Sequence, residues 1–251
     1  MARLQGKTAF ITGSGSGLGR AQALRFASEA ASIVVADLNF AAAAGVASEI
    51  EKAGGTAFAT VIDVTDEQSV RAAVDSAITT FGRIDILSNT AGAFDNFSQS
   101  LDTTRAQWDK ILAVNLTSLF IVTNALLPHM LANGRGVILN MSSGAGFRGG
   151  GGGAAYTSSK HGVIGYTRQL AAGYGKLGIR AIAIAPGLID TPMVAAFSSD
   201  DATKAMLSSK PAGRLGTSDD IANAALFLVS DEADFIHGVT LPVDGGLAET
   251  Y

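Results

Sequence analysis

The chain has 251 residues, of which 47% are hydrophobic and 16% charged, with a net charge of −4 at pH 7. This length fits one large α/β domain or two small ones, and so apolar a chain can bury a sizeable core, which excludes a disordered protein. The acidic balance and the scattered Lys and Arg residues give no indication of nucleic acid or of an anionic membrane, and the absence of cysteine excludes disulfides and thiolate chemistry.

The N-terminal residues lack the apolar core of a secretion signal, and no segment is expected to have the apolar length that spans a bilayer. We therefore expect a cytoplasmic protein with no membrane partner. No set of metal-ligating residues stands out, and no metal is expected.

The first element is a strand, loop and helix built around residues 12–19, Thr-Gly-Ser-Gly-Ser-Gly-Leu-Gly. An apolar strand at 8–11 precedes this loop, and a helix at 20–31 follows it. Glycine permits a sharp turn and lets a pyrophosphate approach the backbone, while the helix directs unpaired N–H groups at the phosphates. A glycine-rich turn alone is a weak signal, but in this context it predicts dinucleotide binding.

The second predicted strand, Ser32–Asp37, ends in a carboxylate where a ribose-binding acid is expected. An ordinary strand-end or helix-cap aspartate is the alternative interpretation of Asp37. The elements predicted after it are helix 41–53, strand 56–61, helix 66–81, strand 85–88, helix 108–131, strand 136–141, helix 155–177, strand 179–184, an irregular insertion at about 188–215, helix 218–228 and strand 239–243. This alternation predicts a single Rossmann-type domain over 1–251, with a doubly wound parallel sheet of about seven strands and helices on both faces.

Tyr156 and Lys160 are spaced to lie on one face of predicted helix 155–177. A nearby ammonium stabilises a phenolate, so we expect Lys160 to lower the pKa of Tyr156 from its usual value of about 10 and to make acid–base chemistry feasible. Ser142 and Ser143 follow a strand, at the sheet edge where ligands bind. The spacing alone does not choose between these two serines.

Together these features resemble the short-chain dehydrogenase/reductase family over essentially the whole chain. The loop at 12–19 matches the family's Thr-Gly-x-x-x-Gly-x-Gly, and Asn89-Thr-Ala-Gly92 matches its Asn-Asn-Ala-Gly, with Thr90 in place of the second asparagine. The family's catalytic triad matches Ser143, Tyr156 and Lys160, which favours Ser143 over Ser142.

The resemblance implies the roles of the catalytic residues. Tyr156 would exchange a proton with the substrate oxygen, which Ser143 would orient. Lys160 would tune Tyr156 and bind the nicotinamide ribose. Asn115 matches the family's helix asparagine and would hold a water that relays protons to Lys160; a buried, internally bonded polar residue is the alternative. The residues expected to bind NAD are Gly13, Ser16, Gly17, Leu18, Gly19, Asp37, Leu38, Asp63, Val64, Asn89, Ala91, Gly92, Tyr156, Lys160, Pro186, Gly187, Ile189 and Thr191.

The sequence therefore predicts an NAD-dependent enzyme that interconverts a secondary alcohol and a ketone. One alternative is a 3-oxoacyl-thioester reductase that uses NADPH and an acidic carrier protein. Ser14, Ser16 and Leu38 leave the phosphate pocket without a cation, which argues against it. The other alternative is a catalytically silent nucleotide-binding module, which the four intact catalytic residues disfavour.

Two further expectations concern substrate and assembly. The candidate pocket walls, for which core or interface packing is an equal alternative, are Phe94, Phe97, Phe147, Leu188, Met193, Phe197 and Met206. The glycine run at 149–153 is interpreted either as a neutral surface loop or as room for bulky or cyclic ketones, testable with leucines at Gly151 and Gly152. The apolar helix 108–131 and the small residues of helix 155–177 predict a homotetramer, with a second interface at the last strand and the tail 245–251.

Overall fold

The computed structural model describes residues 2–194 and 201–247. Within these ranges seven strands form one parallel sheet in the order β3-β2-β1-β4-β5-β6-β7, which confirms the predicted fold class. The strands are β1 (Thr8–Thr12), β2 (Ser32–Asp37), β3 (Thr56–Val61), β4 (Ile86–Asn89), β5 (Gly136–Met141), β6 (Ile179–Pro186) and β7 (Thr240–Val243). The strand order reverses between β1 and β4, which opens a crevice at their C-terminal ends.

Helices cover both faces of this sheet. They are α1 (Gly17–Ala27), α2 (Phe40–Lys52), α3 (Glu67–Phe81), α4 (Arg105–Leu112), α5 (Ser118–Ala132), α6 (Ala154–Tyr174), α7 (Asp201–Ser208) and α8 (Ser218–Val229). Successive side chains of β1 alternate between two cores: Ala9 and Ile11 join the core formed with α1, α2 and α8, whereas Phe10 joins the core formed with α3, α5 and α6. Because both faces of the inner strands are covered, these strands carry consecutive buried apolar residues, such as Ala9-Phe10-Ile11 in β1 and residues 33–36 in β2.

The helix predicted at 108–131 is longer and interrupted in the structure. It starts at Arg105, passes through a π-helical turn at Ala113–Thr117, and continues as α5. By length and hydropathy this helix could cross a membrane, contrary to the expectation that no segment would. Buried residues of α5 pack in the core beneath the sheet, which accounts for its apolar sequence.

Some helices have a side-chain cap at the N-terminus and others do not. An N-terminus without a cap can bind a ligand. The helices α2, α3, α4 and α8 each have a side-chain cap, from Asn39, Asp66, Thr104 and Thr217 respectively. Neither Ser16 before α1 nor Gly153 before α6 provides one. The start of α1 lines the crevice, so its N–H groups face an open site suited to an anion.

The insertion predicted at about 188–215 is described in part. It contains α7, and a bridge between Ile189 and Gly216 joins its two ends. Phe197, one of the candidate pocket walls, lies outside the described residues.

Candidate active site

The glycine loop borders a cleft of about 350 Å³ at the crevice between β1 and β4. The cleft is lined by Gly13, Ser16, Gly17, Leu18, Gly19, Asp37, Leu38, Ile62, Asp63, Val64, Thr65, Thr90, Ala91, Gly92, Val114, Thr191, Pro192 and Met193. Twelve of these are among the residues predicted to bind the cofactor. The glycine loop, the start of α1 and the ends of several strands therefore lie around one cleft.

The loop fits a dinucleotide because side chains would fill the cradle. A Cβ at Gly13 would lie 2.8 Å from Cα of Ala91, across the narrow gap to the residues that follow β4. Gly17 has a φ of +50°, in the left-handed region that favours glycine. A side chain at Gly13 would thus push away the segment after β4, and one at Gly17 would strain the backbone, so both positions of the loop favour glycine.

The carboxylate of Asp37 is fixed at the edge of this cleft. Its Oδ2 accepts a hydrogen bond from the Gly15 N–H at 2.8 Å, and its Oδ1 accepts one from the Asn39 N–H at 2.9 Å. A carboxylate offers about four acceptor positions, so Asp37 keeps capacity to accept ribose hydroxyls. Leu38 beside it is 68% exposed and also lines the cleft.

Thr90 replaces the second asparagine of the family pattern, and a buried polar network holds it. Its Oγ1 accepts a hydrogen bond from Gln22 Nε2 at 3.2 Å, and the Ser88 hydroxyl donates to Gln22 Oε1 at 2.7 Å. Thr12 Oγ1 accepts from the N–H groups of Thr90 and Ala91 at 3.0 and 3.1 Å. Gln22 was not predictable from the sequence, because a lone glutamine in a helix gives no indication of its partners.

Asn89 is placed differently from the expectation. Its Nδ2 donates to Asn140 Oδ1 at 2.9 Å and to Thr123 Oγ1 at 3.4 Å, inside the protein. The side chain is buried and does not line the cleft. This side chain ties β4 to β5 and α5, and the contact of Asn89 with the cofactor stays a prediction.

A second cleft of about 100 Å³ adjoins the first and contains the catalytic candidates. It is lined by Leu18, Thr90, Gly92, Met141, Ser142, Ser143, Tyr156, Lys160, Pro186, Gly187, Ile189, Thr191, Met193 and Val194. Five of these residues also line the larger cleft, so the two spaces are continuous. Residues distant in sequence thus converge at the open end of the nucleotide cleft.

The two serines after β5 have different partners. The Ser142 hydroxyl donates to the main-chain oxygen of Lys160 at 3.0 Å. Ser143 Oγ accepts from the Ala145 N–H at 3.2 Å, and its interaction with the Tyr156 phenol lowers the pKa of that phenol. The hydroxyl beside the phenol is therefore that of Ser143.

The pKa of Tyr156 moves against the expectation from sequence. Burial raises the pKa of the phenol, the hydrogen bond with Ser143 opposes this, and the charge of Asp95 raises it further. Lys160 does not offset the burial, because its Nζ donates to the Met141 main-chain oxygen at 2.9 Å and lies 5.5 Å from the Tyr156 ring centroid. Burial also lowers the pKa of Lys160 to about 8. In the cofactor-free protein Tyr156 is therefore a neutral phenol at neutral pH.

Asn115 lies in the π-helical turn and binds the segment after β4. Its Oδ1 accepts from the Ala93 N–H at 2.7 Å, and its Nδ2 donates to the Ala93 main-chain oxygen at 2.9 Å and to Ser159 Oγ at 3.2 Å. Both amide hydrogens are thus used within the protein. The side chain joins the turn to Ala93 and α6, and the role of Asn115 in a water relay stays a prediction.

The glycine run at 149–153 is only partly a surface loop. Gly149 and Gly150 have open space around them. In contrast, a Cβ at Gly151 would lie 3.0 Å from the Ala145 Cβ, and one at Gly152 would lie 2.5 Å from Tyr156 Cδ1. A leucine at Gly152 would therefore press on the Tyr156 ring and one at Gly151 on Ala145, so the double substitution would not report on substrate size alone.

The candidate walls separate into groups. The rings of Phe94 and Tyr156 meet edge to face with centroids 4.9 Å apart, and Phe94 meets Phe97 in the same way at 4.9 Å. Met193 lines both parts of the cleft. Leu188 instead lines a different cleft, beside β7, and its role as a wall of the substrate pocket stays a prediction. The remaining described candidates, Phe147 and Met206, are exposed.

The fold and this site define an oxidoreductase that uses a nicotinamide nucleotide. A family model described as enoyl-(acyl carrier protein) reductase matches residues 13–248. The relative 2,5-dichloro-2,5-cyclohexadiene-1,4-diol dehydrogenase of Sphingobium indicum is 43% identical over 244 residues, which cover 97% of each chain.

Two solved structures are similarly close. That of 7α-hydroxysteroid dehydrogenase with NADH and 7-oxo glycochenodeoxycholic acid has a TM-score of 0.93 at 40% identity, covering 98% of this chain and 95% of that one. That of a protein assigned as an NAD(P)-dependent gluconate 5-dehydrogenase from Beutenbergia cavernae, with NADP at low occupancy, has a TM-score of 0.93 at 36% identity, covering 98% of each chain.

The chain belongs to the short-chain dehydrogenase/reductase family. It is an oxidoreductase that interconverts alcohols and ketones, which confirms the activity predicted from the sequence. The names of the relatives cover several substrates and both nicotinamide cofactors.

Proposed function

We propose that the chain uses NAD(H) and Tyr156 to interconvert cyclic secondary alcohols and ketones. The observation that carries this proposal is the convergence of Ser143, Tyr156 and Lys160 where the small cleft opens into the glycine-lined cleft. A substrate oxygen beside Ser143 and Tyr156 would lie next to the position available to a nicotinamide ring.

The protonation state of Tyr156 suits it to reduce a ketone. When bound, the nicotinamide cofactor supplies or accepts the hydride. Tyr156 is a protonated phenol at neutral pH, so it can donate its proton to the carbonyl oxygen as negative charge develops there. Burial raises its pKa, which favours this neutral form and makes it a weaker acid than a free tyrosine. The Ser143 hydroxyl lines the same cleft as the phenol and would orient the same oxygen. In alcohol oxidation Tyr156 accepts the proton, and this direction is favoured by higher pH.

The preference for NAD rests on the edge of the large cleft. Asp37 presents a carboxylate to the ribose, and neither Lys nor Arg is among the described residues that line this cleft. A 2′-phosphate would meet a like charge with no cation to offset it. The other predicted cofactor residues on this edge, Asp63 and Val64, are present in the lining and suit the adenine end.

Apolar side chains around the catalytic cleft support the proposal that the substrates are cyclic. Phe94 packs against the catalytic ring and Met193 is 44% exposed in the cleft. The relatives reported above include one that acts on a chlorinated cyclohexadienediol and one bound to a steroid. We propose that this chain likewise accepts ring ketones, with walls supplied by these side chains.

We also propose a domain organisation and an oligomeric state for the chain. One catalytic domain spans 1–251, with a substrate-binding insertion at about 188–215, in a cytoplasmic homotetramer. Exposed apolar side chains support self-association: Phe120 of α5 is 54% exposed, and Phe235 near β7 is 102% exposed.

Steady-state assays with purified protein test the proposed activity. A panel of cyclohexanone-type, linear and 3-oxoacyl-thioester substrates is reduced with NADH and with NADPH, and followed at the nicotinamide absorbance. We expect the highest kcat/KM for ring ketones with NADH. A preference for the thioester with NADPH would instead support the carrier-protein reductase alternative, and no turnover with any substrate would support a silent module.

A further inference from the structure

We infer that Asp95 is a positioning residue for Tyr156, whose buried carboxylate fixes the first turn of α6 and the phenol on it. The inference deepens the proposed function, because it rests on Tyr156 as the proton donor. Neither the sequence pattern nor the family resemblance had singled out this residue.

The carboxylate of Asp95 takes the place of a helix cap. Its Oδ1 accepts from the Gly153 N–H at 2.8 Å, and its Oδ2 accepts from the Tyr156 N–H at 2.8 Å. Gly153 precedes α6 and has no side chain to cap it. Both oxygens thus satisfy N–H groups that a helix start leaves without partners, and one of them belongs to the catalytic residue itself.

Hydrogen bonds hold the segment that carries Asp95 against the start of α6 and against α4. The Asp95 main-chain oxygen accepts from Gln107 Nε2 at 3.2 Å, and the Ser98 main-chain oxygen accepts from the Ala154 N–H at 2.9 Å. A Cβ at Gly153 would collide with the main-chain oxygen of Ser98 and lie 2.6 Å from Asp95 Oδ2. Asp95 is 1% exposed, so its geometry is set by the protein and not by solvent.

The charge of Asp95 also acts on the phenol. Within residues 2–194 and 201–247, the charged groups that contact or act on Tyr156 are Lys160, from the same helix, and Asp95, from the segment after β4. Ser143, after the end of β5, contributes a hydroxyl. The negative charge of Asp95 disfavours the phenolate and so raises the pKa of Tyr156. A helix cap that served stability alone would not move the titration of Tyr156.

Asp95→Asn separates these two roles. An amide of the same shape keeps one acceptor for the two N–H groups and removes the charge. We expect kcat to fall, and the ionisation of Tyr156 to move to lower pH, with its ionisation constant raised about threefold to tenfold. In the pH–rate profiles, the alkaline limb for ketone reduction and the acid limb for alcohol oxidation should both shift to lower pH.

The titration is read directly, without substrate. The tyrosinate absorbance of Tyr156→Phe is subtracted from that of the parent protein, with and without Asp95→Asn, so that the other tyrosines cancel. Asp66→Asn is the matched control, because Asp66 caps α3 with its side chain at Gln68 N. It should lower thermal stability and leave the tyrosine titration unchanged.

Asp95→Glu keeps the charge and should titrate as the parent even where kcat falls. If Asp95→Asn does not fold, Asp95→Ser carries the same expectation. A titration unchanged by Asp95→Asn, with only thermal stability lowered, would overturn the inference. Failure of the proposed function is recognised separately, by full turnover in Tyr156→Phe.

Discussion

A side chain at Gly152 would begin 2.5 Å from Cδ1 of Tyr156, so this glycine forms part of the surface on which the catalytic phenol rests. The ring is confined from two sides, since Phe94 meets it edge to face at 4.9 Å. The phenol therefore cannot move aside to admit a methyl group without losing its alignment.

Gly152→Ala should lower kcat at least about tenfold, because a displacement of the reacting group by about 1 Å is costly. Gly149→Ala is the matched control from the same run, since open space surrounds Gly149. Steady-state kinetics of the two variants with one ketone check this. Equal kcat values in both would contradict the packing argument.

Tyr156→Phe should reduce turnover more than about a hundredfold while cofactor affinity stays nearly unchanged. The substitution removes the proton donor and keeps the ring that packs against Phe94 and Gly152. Binding is measured by the fluorescence of bound NADH, and turnover by absorbance. A variant that retained more than about a hundredth of the parent rate would exclude Tyr156 as the general acid.

Lys160→Met should abolish turnover and weaken NADH binding, yet its stability relative to the parent should depend on pH. The pKa of Lys160 is about 8 in the folded protein and 10.5 for a free lysine. Below about pH 8 the buried ammonium destabilises the folded state by about 3 kcal/mol, and this penalty disappears as pH rises toward the unfolded pKa. Loss of the hydrogen bond to Met141 opposes the gain by about 1 kcal/mol.

The measurement for Lys160→Met is chemical denaturation of the cofactor-free protein from neutral to alkaline pH. We expect the variant to be most stable relative to the parent below about pH 8, and this advantage to shrink above it. A stability difference that does not change with pH would show that Lys160 is not held at a lowered pKa.

NADH should be preferred over NADPH by more than about tenfold in kcat/KM, or about 1.4 kcal/mol. Asp37→Asn keeps the shape that accepts from Gly15 and removes the charge, so it should narrow the preference. Adding Leu38→Arg to Asp37→Ser should reverse it, because a cation then faces the 2′-phosphate. Equal efficiency of both cofactors in the parent would contradict the role given to Asp37.

A tetramer should be found by light scattering at micromolar concentration. Phe120→Glu, on the exposed side of α5, should reduce the mass to that of a smaller assembly, because a charge would be buried at the helix interface. Leu101→Glu is a control on an exposed loop residue. A monomeric mass for the parent chain would refute the prediction.

Much of the fold was predictable from local pattern. The apolar run of β2 ends at Asp37, and the glycines at 12–19 lie between an apolar strand and a helical pattern, so both elements are recognisable without tertiary information. The spacing of Tyr156 and Lys160 also fixes their shared helix face. The π-helical turn at Asn115 was not predictable, because the contacts of Ala93 and Ser159 decide it.

The sequence by itself determined the class of chemistry, since residue types at fixed spacing specify a nucleotide loop and a Tyr/Lys pair. Tertiary structure alone decided the electrostatics of that pair. Burial raises the pKa of Tyr156, and Asp95, far from it in sequence, adds a negative charge. Burial and charges from distant parts of the chain depend on what the fold packs around a group, so neither can be predicted from local residue spacing.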